Sequence, residues 1–198
     1  PCAAVCAMLL SVNVASAQVC GETTWDLWAG QSKNVGSVTV SNDQVNLYIT
    51  YELDYQDPDC VDENDIPTEA VEAEFGTLHV WVGESLDSVP STGGGTPIPG
   101  QFPYKYDANG LQTYTFTIPF VELGITDVSS ACETSLYVVT HAEVNYLDCD
   151  GNLTGGDDTA FGGDNDVNVG EPGRWWYYSV YDVCCDSGEP PVPFCETA

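Results

Sequence analysis

Alternation of apolar and polar residues is the main pattern along this chain. In the run QVNLYITYEL at 44–53, every second residue from Val45 to Leu53 is apolar, and the residues between them are mostly polar. Successive side chains of a strand point to opposite faces of a sheet, so a period of two predicts a strand with one buried face. Runs of the same kind lie at 35–40, 76–83, 114–120, 136–144 and 175–183. The pattern predicts an all-β protein.

Helical periodicity is weak throughout. The nearest candidate, PTEAVEAEF at 67–75, is long enough for one or two turns only. The predicted strands are separated by an acidic loop at 54–65, a Pro/Gly-rich loop at 90–100 and a long polar loop at 148–174. A loop as long as the last is often functional, or it makes an excursion over the surface.

Residues 23–186 are therefore expected to form an antiparallel β-sandwich of the immunoglobulin-like or jelly-roll type. The following residues, 187–198, include GEPPVPFC and predict an extended, Pro-rich tail. The length of 198 residues suits one such domain with an extension, because two full domains would be small.

The first residues form an apolar arm that has two interpretations. The apolar run before Ala15-Ser16-Ala17 resembles the end of a secretory signal peptide. As a strand, the same stretch is one-sided and about as long as a sheet edge. We therefore expect residues 1–22 to complete a sheet, either that of their own domain or that of the next molecule. The apolar face of this strand comprises Cys6, Met8, Leu10, Val12 and Val14.

Charge excludes some partners. The chain has 3 Lys+Arg against 31 Asp+Glu, a formal net charge of −28. A surface of this sign repels nucleic acid and anionic membranes. The longest purely apolar run is far below the roughly 20 residues of a membrane-spanning helix, so we expect no membrane span.

Cysteine usage indicates an oxidising compartment. The spacings fit no zinc motif, so disulfides are expected, and with them an extracellular or cell-surface location. The odd count leaves at least one cysteine free or bonded to another chain, and the pairing is left open. The nine residues are Cys2, Cys6, Cys20, Cys60, Cys132, Cys149, Cys184, Cys185 and Cys195.

No catalytic residue is predicted. Carboxylate pairs are expected by chance among so many acidic residues, and a G-x-S-x-G motif is absent from the sequence. His79 and His141 both lie in the middle of predicted strands and would approach each other if those strands pair. We interpret them as packed, hydrogen-bonded residues rather than metal ligands. The expectation is a protein that is not an enzyme and needs no cofactor.

Calcium and covalent glycans are the two non-protein groups for which the sequence offers a site. The acidic segments at 148–158 and 162–168 offer oxygen ligands, but Gly151 is out of register for an EF-hand, so calcium remains a weak candidate. Asn152 begins the sequon NLT within a polar loop and is the predicted glycosylation site. The possible calcium ligands are Asp148, Asp150, Asp157, Asp164 and Asp166.

Aromatic residues are concentrated in WWYYSVYD at 175–182. Because a strand alternates, one aromatic face of this segment must belong to the core, and Trp175 or Trp176 is expected there. The other face would stack on sugars or cover a neighbouring subunit.

Several motifs together resemble a widespread, poorly characterised family of secreted domains. They are AGQSKNVGSVTVSNDQVNLYITYEL, LHVWVG, PIPGQFPYKY, YTFTIPFVELGI, CETSLYVVTHAEV and GRWWYYSVYDV, in order over residues 29–183. The chain departs from the family pattern at DDTAFGG, where related sequences carry an ETAWG-like stretch. The resemblance implies a secreted β-sandwich, and similar domains are associated with protomers of glycan-coated extracellular filaments.

Two functions are consistent with these observations. The first is a glycosylated structural subunit that polymerises head-to-tail when its arm inserts into the next copy, so that its partners are copies of itself and glycans. The alternative is a monomeric secreted module that binds carbohydrate or calcium.

Overall fold

The computed structural model describes residues 19–61, 64, 66, 70–127, 131–132, 134–164 and 175–185. Within these ranges the chain forms nine β-strands and three short 3₁₀ helices, at Leu86–Ser88, Pro99–Gln101 and Phe120–Leu123. The strands are β1 Cys20–Ala29, β2 Lys33–Asn42, β3 Asn46–Leu53, β4 Ala73–Gly83, β5 Tyr104–Asp107, β6 Thr113–Pro119, β7 Ser135–Leu147, β8 Leu153–Gly162 and β9 Ser179–Asp182.

The strands form one antiparallel sheet that is nearly closed on itself. Its order is β5-β4-β7-β8-β1-β2-β3-β6, and β9 pairs with the beginning of β7. The two end strands, β5 and β6, lie on the same side of the molecule, because the rings of Tyr106 and Tyr114 stack 3.9 Å apart. The predicted all-β antiparallel class is confirmed.

The core follows from the alternation on the strands. Along β3, Leu47, Ile49, Tyr51 and Leu53 are buried while the residues between them are at least partly exposed. The Tyr51 hydroxyl donates a hydrogen bond of 2.9 Å to the carbonyl of His79, on the opposite side of the core. Each such buried apolar side chain stabilises the fold by about 1.5–3 kcal/mol relative to an exposed one.

Three strands were not expected from the sequence. β8 lies inside the segment 148–174 that was predicted to be a loop, and β1 begins at Cys20, within the range predicted for the arm. β5 is a short strand that matches none of the predicted runs. The expected helical turns at 67–75 are wrong where the chain is described, since Ala73–Phe75 begins β4. The predicted strand at 175–183 is shorter than expected, because only Ser179–Asp182 pairs.

Three disulfides join distant parts of the chain. Cys20–Cys184 and Cys132–Cys185 lie at one end of the sheet, and Cys60–Cys149 joins the loops at the other. We call the first end the Asn42 pole, because Cys20 pairs with Asn42 there and Asn42 pairs with Leu47.

Asn42 connects the strands at this pole. Its side chain is fully buried, and its amide donates to the carbonyl of Cys184 at 2.9 Å. The Oδ1 atom accepts hydrogen bonds from the Tyr181 hydroxyl at 2.6 Å and from the Cys184 N–H at 2.9 Å. The Nδ2 atom also donates to the carbonyl of Asp43 at 2.8 Å, so the amide satisfies four polar groups at this pole.

Candidate functional site

The edge of β6 is the first candidate site. Among the described residues, β6 pairs only with β3. Hydrogen bonds of 2.9 Å run from Leu53 N to Gln112 O and from Phe120 N to Val45 O, at the two ends of the paired segment. They show which residues of β6 bond to β3. In an antiparallel ladder, residues that bond to the partner alternate with residues whose backbone groups point away. The even-numbered residues of β6 therefore bond to β3, and Thr113, Thr115 and Thr117 direct their backbone groups to the open side.

This edge lacks the charges that usually protect edge strands. β6 reads TYTFTIP and has no charged residue, although the chain has 31 Asp+Glu. Proteins commonly place charges, prolines or bulges on exposed edges to prevent pairing with other chains. The other end strand, β5, follows that rule with Lys105 and Asp107. Pro119, at the end of β6, is its only protecting residue.

The predicted arm joins the sheet at the Asn42 pole. Val19 precedes Cys20, which the Cys20–Cys184 disulfide anchors. Val19, Val45 and Val121 are 49%, 61% and 67% exposed, and all three lie at this end of the sheet. From β1 to β6 is three strand spacings, about 14 Å.

The outer face of β4, β7 and β8 is the second candidate site. Cross-strand pairing places Lys105, His79, His141, Phe161 and Trp28 in one row across five strands. The next row toward the end opposite the Asn42 pole contains Glu143 and Thr159, and the one after it Asn145 and Asp157. The chemistry therefore changes along this face, from aromatic residues and histidines to carboxylates and an amide.

The histidines form a direct pair. The Nδ1 atoms of His79 and His141 are 3.1 Å apart, and both side chains are buried. One ring must donate its Nδ1–H and the other must accept, so the two rings are opposite tautomers. Burial lowers the pKa of His141 to about 4, with repulsion from His79 as the second cause. Burial also lowers the pKa of His79. The prediction that these residues pack and hydrogen-bond is confirmed.

Glu143 lies beside this pair and is ionised. Its Oε2 atom accepts a 3.0 Å hydrogen bond from the backbone N–H of Thr77. That bond is the main reason why the pKa of Glu143 lies below its usual value. A Cβ at Gly76 would lie 3.0 Å from the Glu143 carboxylate, so the glycine leaves room for the acid.

An aromatic layer covers the end of the outer face nearest the Asn42 pole. Segments 84–102 and 175–178 pack on it and form a second apolar cluster. The indole N–H groups of Trp28 and Trp176 are buried there without a hydrogen-bond partner among the described residues. Trp176 thus belongs to a packed core, as expected for one of the two tryptophans. The buried members of the cluster are Trp81, Val89, Phe102, Val139, Phe161, Trp176 and Tyr177.

An open groove runs beside this layer. One depression, with a volume of about 390 Å³, is lined by Trp175, Phe161, His141 and Thr159, with Pro97 and Pro99 among the other lining residues. A second, of about 320 Å³, is lined by Glu143, Asn145, Asp157 and again Thr159. Because they share Thr159, we treat them as one feature and call it the outer-face groove.

Asn152, the predicted glycosylation site, is exposed in the turn between β7 and β8. Its amide donates to Asp148 Oδ1 at 3.2 Å, and the Asp148 carboxylate also accepts the backbone N–H groups of Asp150 and Asn152. The acidic turn is thus held together by its own hydrogen bonds.

The predicted calcium ligands are only partly placed. Asp148 and Asp150 belong to this turn, Asp157 lies on β8 and Asp164 follows β8. No group of three or more His, Cys, Asp or Glu within the described ranges is arranged to hold a metal ion. The predictions for Asp166, for Cys2, Cys6 and Cys195, and for Met8, Leu10, Val12 and Val14 lie outside the described residues.

Sequence reasoning did not locate the β6 edge, and it named parts of the groove, such as Trp175, His141 and Asp157, without bringing them together. The signal for the first was available, because residues 113–119 form an uncharged run in a very acidic chain. The groove depends on which strands are neighbours, and the alternation pattern does not give that order.

Comparisons with known proteins return no match: no family model, no curated protein and no solved structure is similar to this chain. Among the helices of the described residues, none is both long and apolar enough to cross a bilayer.

Proposed function

We propose that this protein is a structural subunit of an extracellular filament, in which the arm of one copy adds as a strand to β6 of the next. The observation that carries the proposal is the open, uncharged edge of β6, whose alternate backbone groups point away from the sheet. An added strand would satisfy those groups, as in known cases of β-strand addition.

The arm has the pattern that such an edge requires. Its alternate residues from Cys6 to Val14 are apolar, so one face can be buried while its backbone pairs with β6. Five buried side chains would contribute about 1.5–3 kcal/mol each, before the costs of ordering and association. A contact between two different surfaces of the same chain repeats without closing and gives a fibre.

Charge and cysteines are consistent with this assembly. The net charge of −28 would keep fibres from clumping side by side. The three described disulfides use six of the nine cysteines, and two of the others, Cys2 and Cys6, are on the arm, where a bond to the neighbour would lock the joint. A glycan on the exposed Asn152 would further coat the fibre.

The edge is tested with Thr117→Pro, because its N–H points to the open side. Proline there removes a donor for an incoming strand and leaves the bonds between β6 and β3 intact. The control Thr117→Ala keeps the N–H group. By negative-stain electron microscopy, wild type and Thr117→Ala should form filaments, while Thr117→Pro should stay folded and monomeric by light scattering.

Mixing experiments distinguish insertion into the neighbour from insertion into the same chain. Leu10→Asp should disable the arm and Thr117→Pro the edge, so each alone is monomeric and the mixture forms heterodimers that do not extend. If the wild type yields only monodisperse particles, or if Thr117→Pro assembles normally, the filament proposal is wrong. A monomer that nevertheless binds sugars or calcium would favour the alternative of a secreted binding module.

A further inference from the structure

We infer that the outer-face groove binds a neutral oligosaccharide. The inference concerns a surface separate from the β6 edge and does not depend on filament assembly. It is based on the residues that line the groove, their order along it and the charge around them.

The aromatic end of the groove is suited to the apolar face of a sugar ring. Trp175 is half-buried, so part of its indole remains accessible, and it meets Phe161 edge-to-face with ring centroids 5.5 Å apart. Phe161 in turn contacts His141, at 5.1 Å between centroids. This perpendicular packing fixes the orientation of Trp175, and a fixed ring costs little conformational entropy on binding.

The other end offers acceptors and donors for sugar hydroxyl groups. The Glu143 carboxylate uses Oε2 to accept from the Thr77 N–H, and its second oxygen is another acceptor for a hydroxyl group. Asp157 supplies a second carboxylate, and Asn145 an amide that both donates and accepts. Hydroxyl groups donating to carboxylates form charge-assisted hydrogen bonds, which are stronger than neutral ones.

His141 lies between the two ends of the groove and has one ring nitrogen left for a ligand. Its Nδ1 atom is committed to His79. Its Nε2 atom is therefore left as a single donor or a single acceptor, depending on the tautomer. The rows of His141 and Asn145 are four residues apart on β7, about 13 Å, so the groove accommodates a short chain of rings rather than one sugar.

Charge selects among ligand classes. The net charge of −28 and the three carboxylates that line the groove, Glu143, Asp157 and Asp158, repel sulfated, phosphorylated or uronic-acid glycans. An entirely apolar ligand would leave these carboxylates without partners as it displaced their water. A neutral, hydroxyl-rich ligand with one apolar face satisfies both ends of the groove.

The test uses the full-length protein on an array of neutral and anionic oligosaccharides, followed by titration with cellopentaose and mannopentaose. Binding should change the Trp fluorescence in a saturable way. Trp175→Ala should weaken binding about tenfold or more, because the stacking surface is lost. The matched control is Tyr106→Ala, an aromatic residue on β5 that is 41% exposed and lies outside the groove.

Two further variants keep the test decisive if Trp175→Ala does not fold. Thr159→Arg would fill the point shared by both depressions, and its exposed position on β8 tolerates a long side chain. Glu143→Gln should weaken binding several-fold, whereas Glu122→Gln, on the Phe120–Leu123 helix, should have no effect. Circular dichroism and melting curves confirm folding in each case.

Three outcomes would overturn the inference. They are no binding of any neutral oligosaccharide, equal binding by wild type and Thr159→Arg, and binding restricted to anionic glycans. Calcium binding that Asp157→Asn abolishes, on an otherwise silent array, would instead assign the groove to a cation. Filament formation is scored separately by microscopy, so failure of the groove and failure of the assembly proposal are distinguishable.

Discussion

His79 and His141 face each other on adjacent strands with their Nδ1 atoms 3.1 Å apart, buried between the main core and the aromatic layer. A shared hydrogen bond of this kind holds one proton between the two nitrogens of neutral rings, and protonation of both rings would place two buried positive charges in contact. Of the charged groups nearby, Glu143 favours protonation, whereas Lys105 opposes that of His79.

The pair should make the protein sensitive to mild acid. The pKa of His141 is about 4 in the folded state, against an ordinary 6.5, so below pH 6.5 the unfolded chain binds protons more readily. Its contribution is present in full above pH 6.5 and is lost as the pH falls to about 4, which amounts to about 2–3 kcal/mol. Urea denaturation at pH 7.5 and pH 4 measures this loss.

His141→Phe provides the comparison. The variant keeps an aromatic ring against Phe161 and removes the titrating group, so it should lose less stability than wild type between the two pH values. Changes from the many carboxylates are common to both proteins and cancel in the difference. In NMR titrations the His141 ring should show no midpoint above pH 5; an ordinary midpoint near 6.5 would contradict the interpretation.

The approach of these histidines could be expected only conditionally, because alternation shows which face a residue occupies and not which strand lies beside it. The disulfide pairing could not be predicted for the same reason, because it depends on which strands and loops are neighbours.

β3 and β6 were predicted because their inner faces are lined by large apolar residues. β8 was missed because the first seven residues of LTGGDDTAFG are exposed or only partly buried, and only its last three are buried. It pairs with β7 along most of its length and with β1 at its end.

The buried amide of Asn42 should be among the most sensitive positions in the fold. Asn42→Ala removes the hydrogen bonds to the N–H and C=O of Cys184 and to the Asp43 carbonyl. It leaves the Tyr181 hydroxyl only its 3.3 Å bond to the carbonyl of Cys20. Buried groups without partners are costly, and we expect a loss of about 3 kcal/mol in the free energy of unfolding. Tyr181→Phe removes one of these bonds and should cost about 1 kcal/mol.

The control for this network is Asn109→Ala, at an exposed position in the turn between β5 and β6. It should change the free energy of unfolding by less than about 0.5 kcal/mol. Equal effects of Asn42→Ala and Asn109→Ala in urea denaturation would show that the network contributes nothing.

The disulfide pairing gives a chemical prediction. Peptide mapping without reduction, with fragmentation by electron transfer, should link Cys60 to Cys149, Cys20 to Cys184 and Cys132 to Cys185. Cys184 and Cys185 are adjacent, so the experiment must distinguish their two partners. Exchange of these partners would give different fragments.

The Cys60–Cys149 bridge should also stabilise the protein. It joins residues 89 positions apart, and the chain-entropy relation gives about 4–5 kcal/mol for a loop of this size. The double variant Cys60→Ala with Cys149→Ala should therefore melt well below wild type in calorimetry. Unchanged melting would mean that the loops at the end opposite the Asn42 pole are held by other contacts.

Gly36 should tolerate no side chain, because β2 and β3 are in close contact there. A Cβ at this position would meet the backbone carbonyl of Glu52 and lie 2.8 Å from the Cα of Leu53. Both contacts are with backbone atoms, so rotation of a side chain cannot relieve the clash, and the φ of +155° also disfavours residues other than glycine. Gly36→Ala should cost about 3 kcal/mol or more, or prevent folding.

The matched control is Gly93→Ala. A Cβ at Gly93 would meet nothing within 4 Å, so this variant should melt like wild type. Comparable melting temperatures for the two variants would show that β2 can move away from β3 at little cost, and that the register of the sheet is looser at this point than the backbone contact implies.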